Sequence, residues 1–248
     1  MQNLKISLIT VTRNAEKTIS RCIDSVIAQT YPDIEYIVID GASSDNTIQI
    51  IESYKLHISF FVSESDLGIY DAINKGINAA TGDIIGILNA DDFFVYIDVL
   101  SDIAEAFKTQ NTDAVYADLN YINPNGSIIR KWRSGTYKQG FFNWGWMPPH
   151  PTFYAKKSLF ENLGLYDLNY GSAADYELMV RFIHLKGVRL AYLNKLIVNM
   201  QIGGISNKNG FARLRAWNFD YRAMKKNGIR YPLVGVIFKP LRKVFQYV

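Results

Sequence analysis

At 248 residues the chain is long enough for one large domain with a modest appendage, and it can bury a sizeable core. With 48% hydrophobic residues, 20% charged residues and moderate Gly and Pro, it belongs with ordered globular proteins, not disordered or fibrous ones. The net charge of +4 conceals an asymmetry: residues 1–207 hold 17 Lys or Arg against 22 Asp or Glu, a net of −5, whereas residues 208–248 hold 10 against 1, a net of +9.

Cys22 is the only cysteine, so no internal disulfide can form, as suits a reducing cytoplasm. The N-terminal apolar stretch is too brief for a signal h-region and has no small-residue cleavage site behind it. No run of 18 or more apolar residues occurs, so a soluble or peripheral protein is expected.

Short apolar runs alternate with amphipathic stretches from residue 6 to about 118, which predicts an α/β fold with a mostly parallel sheet and crossover helices. The predicted strands are Ile6–Val11, Tyr36–Asp40, Ser59–Ser63, Ile84–Leu88 and Ala114–Tyr116. After Asn14, read as an N-cap, Ile19, Cys22, Ile23, Val26 and Ile27 share one helical face, which makes Cys22 a core filler. A second helix with Ile48 and Ile51 follows Asp45 or Asn46, and a third runs from about Asp71 to Ala80 before Thr81-Gly82. The loops after these strands then gather at one sheet edge, where open α/β sheets bind ligands.

Beyond residue 118, Pro124-Asn125-Gly126 predicts a hairpin within Tyr121–Trp132. Residues 135–153, rich in Gly, Pro and aromatics, read as a long loop over the site. Helices are expected at about Lys157–Leu163 and Asp175–Leu185, and a strand near Arg189–Leu193. No repeat or linker interrupts the chain. The expected division is a catalytic unit over 1–207, in halves 1–118 and 119–207, with a basic amphipathic extension over 208–248.

Three clusters carry polar chemistry. Leu88-Asn89-Ala90-Asp91-Asp92 sets two adjacent carboxylates at the end of an apolar run. Such a pair repels unless a cation or hydrogen bonds offset the charge, and a hard divalent ion prefers oxygen ligands. An Asp-Asp N-cap for the next helix would read the same way. In the Asp40–Thr47 loop, Asp40 can accept a hydrogen bond from a base N–H, and Asp45 suits a cap on the following helix. In Glu64–Gly76, Asn74 and Lys75 can reach diphosphate oxygens or sit on the surface.

Taken in order, Ile9–Asn14, Asp40–Thr47, Ser63–Gly76 and Asn89–Asp92 resemble the motifs of family 2 glycosyltransferases, strongly over about 4–120 and more weakly to about 206. The resemblance implies a GT-A fold, a nucleotide-diphosphate sugar donor, a Mn2+ or Mg2+ cofactor and inversion at the anomeric carbon. Asn89-Ala90-Asp91 stands at the family's Asp-x-Asp position. That gives Asp91 the metal and diphosphate role with Asp92 beside it, and leaves Asn89 where a first Asp is usual. By the same resemblance Asp40 matches the nucleobase position, Thr12 and Arg13 line the nucleotide pocket, and Asp66, Asn74 and Lys75 lie near the diphosphate and donor sugar.

An inverting transfer needs a carboxylate to take the acceptor hydroxyl proton on the face opposite the leaving group. Ala174-Asp175-Tyr176-Glu177 resembles the family's acidic segment at this step, with Asp175 as first and Glu177 as second candidate; a helix N-cap is the plain alternative for Asp175. His150 in His150-Pro151-Thr152-Phe153 can face the acceptor or the metal, or simply pack its loop. The Gly203-Gly204 turn can offer backbone N–H groups to donor phosphates. Without the membrane helices and Gln-x-x-Arg-Trp motif of the family's polymerases, transfer of a single hexosyl or N-acetylhexosaminyl unit is expected. The implied setting is surface polysaccharide or glycolipid synthesis on a glycan or lipid-linked acceptor.

In the tail, Leu233, Val234, Ile237, Leu241, Val244 and Phe245 can share one helical face with Lys239, Arg242, Lys243 and Gln246 opposite. This pattern predicts an interfacial helix on anionic membrane at the inner face of the plasma membrane, though Pro240 would kink it. Two other readings differ in class. A sugar-nucleotide nucleotidyltransferase should carry a Gly-rich phosphate loop after the first strand, and Thr12–Thr18 contains no Gly. A non-catalytic carbohydrate-binding module would use Trp144 and Trp146. The basic tail without a reading motif does not make a nucleic-acid partner.

Overall fold

The computed structural model describes residues 4–202, 210–244 and 246–247, and leaves the side chains of 210–213 undescribed. Its strands are β1 Ile6–Thr12, β2 Ile34–Asp40, β3 Phe60–Ser63, β4 Ile84–Ile87, β5 Asp92–Phe94, β6 Ala114–Ile122, β7 Ile128–Trp132, β8 Tyr154–Lys156 and β9 Leu190–Gln201. They form one sheet in the order β3-β2-β1-β4-β8-β6-β9-β5; off this path β7 pairs with the far part of β6, beyond the two residues that pair with β8. β1, β2, β3, β4, β6 and β9 run one way, and β5, β7 and β8 run against them. The sheet is therefore mostly parallel, and the expected α/β class holds.

β1 is buried along its whole length, as strands covered on both faces are. Its side chains split by alternation. Leu8 joins Tyr36 and Val38 under helices α1 (Ile19–Ile27) and α4 (Val99–Thr109), while Ile9 and Val11 join Ile37 and Ile39 under α3 (Ile69–Ala79) and α6 (Ala174–Met179). Cys22 is fully buried in the first of these clusters, and burial pushes its thiol up to about 12. Gly86 on β4 leaves room for the Tyr154 ring of β8, which a Cβ would meet at 2.5 Å.

Several elements differ from the sequence reading. Asn14 is not a helix cap: it adopts φ 52°, and its Oδ1 accepts a 2.9 Å hydrogen bond from the Ser44 backbone, tying the two loops together, while α1 starts only at Ile19. Asp92 opens strand β5, and α4 begins after Asp98, so the Asp-Asp pair caps no helix. β9 runs 12 residues, well past the expected Leu193, because its far half lies parallel to β6 and antiparallel to β5. The hairpin forms as expected between β6 and β7, around Asn123–Ser127.

The helix at Lys157–Leu163 (α5) forms as expected. The next one begins as α6 and continues as a π-helical turn over Val180–Leu185. Helices α7 (Gly210–Lys226) and α8 (Pro232–Val244) fold back onto the domain. α8 runs through Pro240 unbroken, and Gln246 docks on β7 by accepting from Lys131 N at 2.8 Å. Gln246 thus faces the protein rather than solvent. Among the described residues no helix is long and apolar enough to cross a membrane.

Candidate active site

The polar motifs collect beyond the carboxyl ends of β1, β2 and β4, which run side by side and in the same direction. Thr12 ends β1, and its hydroxyl is buried with no partner among the described residues. Arg13 follows it in the open. Gly41, after β2, donates its N–H to the Thr12 carbonyl at 2.9 Å, and a Cβ there would run into the Asp66 carboxylate, 3.2 Å from its Cγ. Glycine is what lets Asp66 lie against this loop.

Asp40 is fully buried and accepts from Ser43 N at 2.9 Å, from the Ser43 hydroxyl, and from the Ser63 hydroxyl at 2.6 Å. These hydrogen bonds order the loop after β2. Asp45 accepts from Thr47 N at 3.0 Å at the start of α2 (Thr47–Ser53), and from Glu16 N at 3.2 Å. Asn46 takes the cap position without a side-chain bond, and Asp45, one residue earlier, serves the first turn in its place.

The Asn89–Asp92 turn holds the strongest electrostatic tension. Asp92 is fully enclosed, with Asn89 Nδ2 donating to one of its oxygens at 3.1 Å; its other oxygen and the buried Asn89 Oδ1 have no hydrogen-bond partner among the described residues. Burial, and then the neighbouring Asp91 charge, push the Asp92 carboxyl well above the usual range. Asp91 is only partly covered and is also pushed up by burial.

The positive charge that relieves both is Arg21 of α1, which donates to Gln201 at 2.6 Å and lies 4.3 Å over the Phe93 ring. The sequence reading missed Arg21, since it lies on α1, about 70 residues before the turn it serves. Among the described residues no group of three or more His, Cys, Asp or Glu can hold a metal unaided. One or two carboxylates with unmet acceptor oxygens nonetheless fit a divalent ion that takes its other ligands from substrate phosphates and water.

Two residues expected near the diphosphate have their polar atoms engaged by the protein itself. Asn74 donates to the Tyr166 carbonyl at 2.9 Å and accepts from Tyr166 N at 3.0 Å. Lys75 donates to the Ser65 carbonyl at 2.9 Å and pairs with Glu64 at 2.8 Å. Asn74 anchors α3 to the segment before α6, and Lys75 braces the loop after β3. Gly203 and Gly204 lie outside the described residues.

Asp175, in the first turn of α6, is partly exposed. Around it stand Tyr70, Tyr166 and His150: Tyr70 stacks on Tyr166 with centroids 5.5 Å apart, and His150 Nε2 meets the Tyr166 hydroxyl at 2.8 Å. Burial, and then the Asp175 charge, push both phenols well above the ordinary tyrosine value. Burial holds His150 below its usual value although Asp175 pulls it upward, so its ring is neutral near pH 7 and sits with the Asp175 cluster.

Glu177 is wholly buried, pairs with Arg181 at 3.0 Å and accepts from Asn227 at 3.1 Å. It holds α6 in place, and no face of it is open to a substrate. Trp146 is also core, 3% exposed with its indole N–H on the Ser134 carbonyl, whereas Trp144 is 52% exposed; a paired aromatic platform is not there. Tyr121 of β6 feels both Asp92 and Asp175, whose charges raise its phenol after burial and against Arg130.

Comparison with known proteins places the chain by family and by fold. The profile described as glycosyl transferase family 2 matches residues 7–167. A "PGL/p-HBAD biosynthesis glycosyltransferase" of Mycobacterium bovis is 27% identical over 206 residues, covering 81% of this chain and 78% of that protein. The S. aureus TarS 1–349 structure in complex with UDP-GlcNAc superposes with a TM-score of 0.71 at 18% identity, over 95% of this chain and 69% of that one. The longer TarS chain is covered only to 39%. The mannosyltransferase PcManGT from Pyrobaculum calidifontis, in complex with GDP-Man and Mn2+, gives a TM-score of 0.68 at 18% identity, over 97% of this chain and 73% of that one. At such identities these structures establish a shared GT-A fold.

Proposed function

Because the chain belongs to glycosyl transferase family 2, we propose that it moves a single sugar, with inversion, from a nucleotide-diphosphate sugar to a lipid-linked glycan acceptor. The observation that supports this most directly is the turn beyond β4, where Asp91 stands beside a buried Asp92 whose Oδ1 has no partner among the described residues. An unmet carboxylate oxygen fits a divalent ion that also binds a donor diphosphate, and an inverting transfer then needs a base on the acceptor side.

In this reading Asp91, with Asp92 behind it, holds a divalent ion together with the donor diphosphate. The bound ion supplies Lewis-acid stabilisation of the charge on the departing phosphate. Thr12, Arg13 and the loop ordered by Asp40 receive the nucleotide. Asp175 takes the acceptor hydroxyl proton, and the enclosed Tyr70, Tyr166 and His150 fix its position and keep water out. The donors seen with the two structural neighbours, UDP-GlcNAc and GDP-Man, bracket the N-acetylhexosaminyl and hexosyl alternatives. Residues 1–207 act as the catalytic unit, and the setting is surface polysaccharide or glycolipid assembly at the inner face of the plasma membrane.

Melting the protein with UDP-GlcNAc and with GDP-Man, each with and without Mn2+, tests the donor half. A donor at about 100 times its Kd adds about 2.7 kcal/mol, and that gain should require Mn2+ and vanish in Asp91→Ala. Asp175→Asn should keep the metal-dependent gain and lose transfer by about 10²-fold or more. Near-normal transfer by Asp175→Asn, or an undiminished Mn2+-dependent gain in Asp91→Ala, would refute the assignment.

A further inference from the structure

Helix α8 is mounted the opposite way from an ordinary surface helix. Its inward side is Gly235 and Val236, with Lys239 beside them pairing Asp220 at 2.6 Å and lying 3.8 Å over the Tyr176 ring. Its outward side is apolar: Leu233, Ile237, Leu241 and Val244 are 67%, 60%, 48% and 62% exposed. Spaced by four, four and three residues, these four side chains fall within one narrow stripe of the helix. Trp144, half-exposed in the segment over residues 135–153, packs edge-on against Phe238 of α8 with centroids 5.4 Å apart.

A patch of this kind on a folded protein marks something that covers it. The charge around it says what. Arg230, Arg242 and Lys243 reach solvent on the same helix and the turn before it, in a segment whose net charge is +9; partial burial and then the Lys239 charge lower Lys243 to about 8, which leaves it mostly charged at neutral pH. A second copy of the chain would bring the same positive sign to the contact and be repelled. Anionic phosphate headgroups over an acyl layer satisfy both the apolar stripe and the basic rim.

We infer that α8, together with Trp144, is a docking surface for an anionic lipid bilayer, with the apolar stripe at the acyl boundary and Arg230, Arg242 and Lys243 on headgroup phosphates. The helix is rigidly joined to the site. The Lys239 side chain covers Tyr176, which adjoins Asp175 in the chain, and a Cβ on Gly145 would lie 2.6 Å from the Lys239 Cα. Docking would therefore hold the Asp175 side of the pocket at a set height above the lipid. The surface does not depend on the transfer reaction, so its failure and that of the glycosyltransferase reading are separable: vesicle binding reports the first, and donor-dependent melting reports the second.

The test is sedimentation of the full chain with phosphatidylcholine vesicles and with vesicles that also contain phosphatidylglycerol. Binding is expected only with the anionic lipid. It should fall at least tenfold in Leu233→Ser/Ile237→Ser/Leu241→Ser, whose melting curve should match the parent because the three side chains are exposed. Arg242→Gln/Lys243→Gln should lose about fivefold per charge and flatten the salt dependence. Brominated acyl chains should quench the parent fluorescence and quench Trp144→Phe less.

Parent protein left in the supernatant with anionic vesicles would overturn the inference, as would a triple-serine variant that binds equally well. A concentration-dependent dimer abolished by the three serines would overturn it too, by assigning the stripe to a second copy.

Discussion

At Glu177 the carboxylate is wholly enclosed and its partner Arg181 also donates to the carbonyls of Gly164 and Leu165. Two residues earlier Asp175 is partly exposed and accepts from the neighbouring Tyr176 N at 2.7 Å and from the Tyr70 hydroxyl. Removing one partner of a buried pair costs about 3–5 kcal/mol because the other charge is left uncompensated. Glu177→Gln should therefore lower the melting temperature by roughly 10 °C, at about 2–4 °C per kcal/mol for a chain of this size. Asp175→Asn should cost less, within about 4 °C of the parent, because this side chain is partly exposed and its loss leaves no buried cation unpaired. Thermal melting of both proteins checks the pair: equal losses would mean that Asp175 is as structural as its neighbour. The sequence presents these acids as near equivalents two positions apart, and only burial separates them.

Among the elements, α8 depends on glycine at two contacts. Gly145 adopts φ +68°, and a side chain there would collide with the α8 backbone at Lys239 and stand 2.7 Å from the Gly235 carbonyl. An alanine pays for the left-handed backbone, about 1–2 kcal/mol, and also displaces the helix. Gly145→Ala should lower the melting temperature by at least about 4 °C and open the connection at Gly228–Tyr231 to limited proteolysis. A variant that melts and resists protease like the parent would show that α8 is not seated by this contact. The helix itself was legible from its heptad-like apolar spacing. Its seating was not, because periodicity tells which residues share a face but not whether that face points inward or outward.

Across the whole molecule, the end of the sheet away from the site is tied by one acid. Glu35 on β2 accepts from Ser7 of β1, from Thr81 N at 2.7 Å and from Lys5 Nζ at 3.0 Å. Burial would push its carboxyl up, but these hydrogen bonds outweigh it and hold Glu35 at about 2. With an unfolded value of about 4.3, the native state binds fewer protons between the two, so this stabilisation is complete above about pH 4.3 and is lost as the pH falls towards 2. The stability gap between the parent and Glu35→Gln, from urea midpoints, should be widest near neutral pH and narrow on acidification through that window. A gap that does not change with pH would mean that the charge of Glu35 contributes nothing.

The sequence by itself determined the parallel half of the sheet, the order of its helices and the clustering of polar loops at one edge. Those features follow from local apolar periodicity and from short βα connections, which a linear reading can follow. It also marked the Asn89–Asp92 turn and Asp175 as the places to look. Only the tertiary structure decided that Asn74 and Lys75 are engaged by Tyr166 and Glu64, that Arg21 is the cation facing Asp91 and Asp92, that β9 runs on to brace β5, and that the apolar side of α8 faces outward. Each of these is set by partners between about 10 and 180 residues away in the chain, where the cost of closing the intervening loop is met by packing that no local pattern records.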